Sequence, residues 1–213
     1  MRGGRYEAHG VQAEAEPGSR GRVLRNLMGV RSVREMNRSE YAALLAVTDR
    51  LIDETTVDQQ FTADDICRMH RLWLGNIYAW AGEYRQVNMG KDGFMFAAAN
   101  QVPRLMQEFE REVLRTYTPC RMTNADEQAQ ALGVVHAELI LIHPFREGNG
   151  RCSRLLATLM ALQSGLPALD FGGIRGEAKR RYIGAIQAAM GRDYAPITAV
   201  FRTVIARTLR AAG

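Results

Sequence analysis

Lysine is nearly missing from this chain: of 28 basic residues, only Lys91 and Lys179 are not arginine. With alanine and glycine abundant, that bias reads as the coding habit of a GC-rich bacterial genome rather than an adaptation to a partner. Cysteine is also scarce. Cys67, Cys120 and Cys152 are odd in number, scattered and without metal-type spacing, which excludes a disulfide framework and a zinc site. No apolar run approaches the length that crosses a bilayer, and Met1-Arg-Gly-Gly-Arg-Tyr-Glu-Ala-His-Gly10 lacks the apolar core of a secretion signal. A soluble cytoplasmic protein with no membrane partner is expected, or one delivered to a host cytosol if it is an effector. Repeats, low-complexity tracts and long polar linkers are absent too.

What is present is enough for one sizeable core: 213 residues, 46% of them hydrophobic. The net charge of +5 sits mostly at the two ends. Without interleaved aromatics, it permits nucleic-acid contact but does not require it. Residues 1–36, rich in Gly and Arg and broken at Pro17-Gly-Ser-Arg-Gly21, read as an N-terminal arm; residues 37–213 read as one domain. Within it, Asn37-Arg-Ser-Glu40, Thr62-Ala-Asp-Asp65 and Thr123-Asn-Ala-Asp126 each place a capping residue three positions before an acid, the signature of a helix start. The first of these helices should bury Tyr41, Leu44, Leu45, Leu51 and Ile52; the third should run to Ile142. Further helices are expected over 101–116, 151–164, 176–190 and 195–211. Only Glu83–Phe96, with an Asp-Gly turn at Asp92-Gly93, reads as a β-hairpin. The predicted class is all-α with one short hairpin.

The informative stretch is Leu141-Ile-His-Pro-Phe-Arg-Glu-Gly-Asn-Gly-Arg-Cys-Ser-Arg154. An apolar helix stops at a proline, a loop containing Gly148 and Gly150 follows, and a second helix begins. Glycines that turn successive N–H groups to one side, followed by the positive end of a helix, make an anion cradle suited to a phosphate chain. Arg151 and Arg154, three apart on that helix, present forked donors to terminal phosphate oxygens. Glu147 offers a carboxylate for a divalent cation such as Mg²⁺. His143 heads the loop, where an imidazole can accept the proton of an attacking hydroxyl.

His143-Pro-Phe-Arg-Glu-Gly-Asn-Gly-Arg151 resembles the loop of the Fic family of protein adenylyltransferases without mismatch at its defining positions. The hairpin preceded by Asn76-Ile-Tyr-Ala-Trp-Ala-Gly82 follows the same family order, and residues 60–190 are covered. The resemblance implies a Fic-like helical bundle that transfers AMP from ATP to a Ser, Thr or Tyr hydroxyl of a protein, releasing pyrophosphate. It implies His143 as general base and Glu147 as the Mg²⁺ ligand. It implies Phe145, Arg146, Gly148, Asn149, Gly150, Arg151 and Arg154 around the nucleotide, with Phe145 anchoring the loop. The flap of Lys91, Asp92, Gly93, Phe94, Met95 and Phe96 would pair with an extended target segment, and Phe96 would clamp the target side chain. The phosphorylating Doc branch carries a lysine in place of Gly150, so AMP transfer is expected rather than phosphate transfer. The resemblance admits GTPases, chaperones and type II topoisomerases as target classes without choosing among them. Rival readings are removal of AMP, or a nucleotide-binding toxin-antitoxin partner without transfer activity.

Many relatives restrain themselves through a helix with Ser or Thr, three residues, then Glu and Gly or Asn, the Glu pairing with the residue equivalent to Arg154. Here Glu147 alone is followed by Gly or Asn, and His143 lies four before it. Ser32-Val-Arg-Glu35-Met and Thr123-Asn-Ala-Asp-Glu127-Gln are the nearest misses. Constitutive activity, or restraint by a separate antitoxin-like protein, is expected; a diverged inhibitory segment within 22–40 is the alternative. His136 reads as a hydrogen-bonded core histidine, His70 and His9 lack a constellation, and Trp73, Tyr78 and Trp80 read as packing below the flap. Tyr182 reads as an adenine contact or a half-buried helix residue, and the C-terminal arginines as a solvated face.

Overall fold

The computed structural model describes residues 7–8, 14–91 and 93–213. Its helices are α1 (Val33–Glu54), α2 (Ala63–Leu74), α3 (Val102–Phe109), α4 (Arg115–Tyr117), α5 (Ala125–Ile142), α6 (Asn149–Gln163), α7 (Gly176–Ala188) and α8 (Ala195–Ala212). Between α3 and α4 the chain takes a π-helical turn at Glu110–Leu114, so the helix expected over 101–116 is one rod of mixed winding. The strands are β1 (Glu7–Ala8), β2 (Met89–Lys91) and β3 (Phe94–Met95). The architecture is thus mainly helical with a small sheet. None of the described helices is long and apolar enough to cross a membrane.

The chain divides into two compact units, one built from the described residues up to Glu54 with Ala63–Met106 and Ile142–Asn149, the other from Thr55–Thr62, Gln107–Leu141 and Gly150–Gly213. In the first unit, α1 packs on α2. The helix begins at Val33, four residues before the predicted Asn37, because Ser32 supplies the cap, its Oγ accepting from the Glu35 N–H at 3.5 Å. Its inward stripe is Met36, Glu40, Val47 and Leu51, while Tyr41 and Leu45 are exposed. The expected face is therefore rotated by one position. Glu40, read as the acid three residues after an Asn37 cap, lies inside, where its Oε1 accepts from Tyr78 Oη at 2.7 Å and its carbonyl accepts from Trp73 Nε1 at 2.8 Å.

The sheet has the order β1-β2-β3, all antiparallel, with Gly90 opposite Met95 and Lys91 opposite Phe94. The hairpin is shorter than expected: Glu83–Asn88 is not strand. Its outer partner is β1, with Glu7 opposite Gly90 and Ala8 opposite Met89, so the segment read as an arm contributes a strand.

In the second unit α5 is buried on nearly all sides, from Gln128 to Leu139. Asn124, rather than Thr123, caps it, Oδ1 accepting from the Asp126 N–H at 2.8 Å. Gly133 lets the α8 backbone come close: a Cβ there would lie 3.4 Å from Ile197 and Thr198 backbone atoms. Helix α8 packs on α7 and buries Ile197, Phe201, Val204 and Ile205 along the stripe its sequence shows.

Candidate active site

His143 follows the last residue of α5 and has φ of +53°, a left-handed conformation that costs a non-glycine residue energy and that a following proline disfavours further. The residue is 3% exposed, and its ring lies against Phe96, centroids 3.7 Å apart and planes 16° from parallel. Phe94 meets Phe96 edge-on at 5.3 Å. Met95, between them, is 63% exposed, and Lys91 and Gly93 are exposed as well. Asp92 lies outside the described residues, as does His9.

Beyond His143 the loop closes on itself. Asn149 Nδ2 donates to the Phe145 carbonyl at 2.7 Å and Oδ1 accepts from the Phe145 N–H at 2.8 Å, a two-bond clasp that uses both ends of the amide. Glu147 Oε1 accepts from the Gly148 N–H at 2.9 Å. Gly148 has φ of +85°, and a Cβ there would stand 2.6 Å from the Trp73 ring, so conformation and space both demand glycine. Phe145 is fully buried and stacked on the His70 ring, centroids 3.8 Å apart. Arg146 and Glu147 are largely buried.

Two residues that sequence reasoning passed over hold this loop from behind. His70 accepts from the Gly82 N–H through Nδ1 at 2.8 Å, so its proton is on Nε2 and is donated to the Glu147 carbonyl at 3.0 Å. Arg85, 1% exposed, donates from Nε to the His143 carbonyl at 2.7 Å, and its backbone N–H donates to the Pro144 carbonyl at 2.8 Å. Burial lowers its pKa to about 10, which leaves it protonated at neutral pH. His70 had no motif around it and Arg85 sat in a presumed strand, so the only available signal was a polar residue amid apolar neighbours.

Asn149 also opens α6, which carries Gly150, Arg151 and Arg154 into the second unit. Gly150 is an ordinary helical residue with no atom within 4 Å of where a Cβ would be; the expectation that it supplies unusual backbone freedom is corrected. The Arg154 guanidinium carbon lies 5.5 Å from the Phe171 centroid and 6.0 Å from that of Tyr182, a cation–π grip. Tyr182 is tied to His136, Oη to Nε2 at 2.7 Å, and His136 Nδ1 meets Ser153 Oγ at 2.8 Å. Burial, with a smaller contribution from the Arg154 charge, lowers the His136 pKa to about 3. His136 is thus a neutral core histidine as expected, and Tyr182 lies half-buried between His136 and the Arg154 guanidinium. No carboxylate among the described residues pairs with Arg154.

The described residues hold no cluster of three or more metal-ligating side chains. Glu147 places its carboxylate next to a glycine turn, Oε1 accepting from the Gly148 N–H. That fits a hard cation which takes one or two carboxylates and fills its remaining positions with phosphate oxygens and water.

Residues 60–161 match the Fic/DOC family. Over 147 residues the chain is 31% identical to the protein adenylyltransferase VbhT of Bartonella schoenbuchensis, covering 67% of this chain and 30% of VbhT. The chain belongs to the Fic/DOC family. It is also 26% identical over 183 residues to the probable protein adenylyltransferase y4lH of Sinorhizobium fredii, covering 86% of this chain and 91% of that protein. Among solved structures, BepC of Bartonella tribocorum with bound AMPPNP has the same fold, with a TM-score of 0.69 at 21% identity, covering 85% of this chain and 91% of that one. The chain spans less than a third of the length of VbhT. The Fic match includes the segment that supplies His70 and Arg85 as well as the loop read from sequence.

Proposed function

We propose that this Fic domain is a protein adenylyltransferase, transferring AMP from ATP to a Ser, Thr or Tyr hydroxyl of a target protein. The observation that carries the reading is the clasped loop His143–Asn149, which presents an imidazole, a carboxylate and a glycine turn in immediate sequence before the N-terminus of α6. His143 takes the proton of the target hydroxyl as its oxygen attacks the α-phosphorus in line. The bond from that phosphorus to the bridging oxygen breaks, and pyrophosphate leaves. Gly148, the first-turn N–H groups of α6 and Arg146 receive the phosphates, and Arg151 and Arg154 reach the distal ones. Phe145 and Asn149 hold the loop's shape. A Mg²⁺ bound with the nucleotide at Glu147 would supply charge neutralisation on the leaving phosphates.

Lys91, Asp92, Gly93, Phe94, Met95 and Phe96 form the flap. With β1 on the outer side of β2, the strand left to pair with an extended target is β3, whose Met95 is exposed. With His143 3% exposed and Phe96 stacked on its ring, a target hydroxyl would gain access by displacing Phe96. Helical Gly150, with open space where a side chain would stand, favours AMP over phosphate transfer by leaving room for the α-phosphate.

The absence of an acid on Arg154 among the described residues supports an enzyme not restrained by its own Glu, with a small antitoxin-like protein as the partner that supplies one. The proposed setting is the cytoplasm, or a host cytosol after delivery.

Intact-mass analysis and labelled ATP, applied to purified protein and to a bacterial lysate, test the reading. Wild type is expected to add AMP to protein, and His143→Ala to abolish addition while still binding Mg-ATP. An undiminished biological effect in His143→Ala favours a nucleotide-binding partner protein instead. Absence of labelling that is restored by removing residues 1–36 assigns restraint to the N-terminal segment.

A further inference from the structure

Arg85 is a fully buried charge without a carboxylate partner among the described residues. Removing a guanidinium from water is costly, so its hydrogen bonds must repay the burial. They fall into two groups. Three acceptors are the consecutive carbonyls of Ile142, His143 and Pro144, reached by Nη2 at 3.3 Å, Nε at 2.7 Å and the backbone N–H at 2.8 Å. The other two, Val87 and Ala97, flank the hairpin of β2 and β3 on either side; Nη1 donates to Val87 at 2.7 Å and Nη2 donates to Ala97.

The first group lies where α5 ends. The last carbonyls of a helix have no partner within it and carry partial negative charge, so a cation there is favourable. His143 is also held in a left-handed conformation before a proline, which a helix end would not adopt unaided. Fixing the carbonyls of residues 142, 143 and 144 sets the peptide planes on both sides of the His143 Cα and therefore the direction of its ring. The second group fixes both roots of the flap. Lysine, a point donor, cannot span the two sets; the planar fork of arginine does.

We infer that Arg85 is a positioning residue that holds His143 in its working conformation and couples that conformation to the flap. The inference rests on the reading of His143 as general base. Movement at the flap roots on target docking then reaches the base through one rigid side chain.

Arg85→Met, which fills the volume without donors, and Arg85→Lys, which keeps the charge without the fork, test this in the full chain. Two readouts are compared: incorporation of labelled AMP into protein at saturating Mg-ATP, and amide hydrogen exchange. Turnover is expected to fall about 100-fold in both variants, the scale of a misplaced catalytic group, with Mg-ATP affinity kept within about twofold. Exchange is expected to rise together at residues 94–97 and 142–147, while α1 keeps its protection. A filler role predicts unchanged turnover, or a parallel loss of nucleotide affinity and α1 protection, and either result overturns the inference. So does a rise in exchange confined to one of the two segments. If the wild type transfers no AMP, the proposed function fails, and the exchange pattern alone decides whether Arg85 couples the segments.

Discussion

Phe96 covers the imidazole of His143, ring on ring, with centroids 3.7 Å apart. A proposed general base is thus shielded from water by a residue of the segment that would receive the target. Phe96→Ala is expected to expose the ring, which diethyl pyrocarbonate modification of His143 measures directly. AMP transfer should fall about tenfold or more as orientation of the target hydroxyl is lost. Unchanged modification would show that something other than Phe96 covers the ring.

Gly148 is constrained twice, by φ of +85° and by the Trp73 ring 2.6 Å from where a Cβ would stand. Gly148→Ala is expected to cost about 1–3 kcal/mol, from strain and overpacking together. Chemical denaturation gives the loss of stability. Because Trp73 is 2% exposed and close-packed, its fluorescence should shift in the folded variant.

His136 gives stability a defined pH dependence. In the unfolded chain its pKa is about 6.5; in the folded protein burial lowers it to about 3. Between those values the unfolded chain holds a proton that the folded one does not. The contribution is therefore complete above about pH 6.5 and is lost as pH falls towards about 3, by up to about 1.4 kcal/mol per unit. Urea midpoints near pH 7.5 and pH 5 should differ more in wild type than in His136→Gln.

Arg154 is gripped by Phe171 and Tyr182, and Tyr182 is oriented by His136. Tyr182→Phe keeps the aromatic face and loses the tether; Phe171→Leu loses a face. Both are expected to weaken the contribution of Arg154 to ATP binding, Phe171→Leu by about fivefold, the scale of one cation–π contact. The KM for ATP should rise while the affinity for AMP, which has no distal phosphates, does not. Equal weakening for both nucleotides would assign the two aromatics to packing alone.

The helices with capping signals and clear stripes were legible in sequence: α2, α5 and α8 start or run close to where their residues indicated. So was the loop, because Pro144, Gly148 and Asn149 act through local backbone geometry. The inward face of α1 was not, since burying Glu40 depends on Tyr78 and Trp73, more than thirty residues away. The cap of the same helix is present as Ser32-Val-Arg-Glu35, a pattern that equally resembles a broken inhibitory motif. His70 and Arg85 were illegible for a related reason. Both act on backbone carbonyls, and a carbonyl has no identity in a sequence. Strand β1 escaped because two residues of pairing leave no periodicity to read.

The two glycines of the loop differ in how much change they tolerate. Position 148 is sealed by an indole and a left-handed backbone, so nearly every substitution there is paid for in folding. Position 150 is a helical site with ordinary backbone angles, where a Cβ would meet no atom from outside its own stretch of helix within 4 Å. Mutational drift in this loop is therefore channelled: the fold admits a side chain at 150 far more readily than at 148. A scaffold with one frozen and one permissive glycine can vary beside its helix N-terminus by a single codon without relearning how to fold.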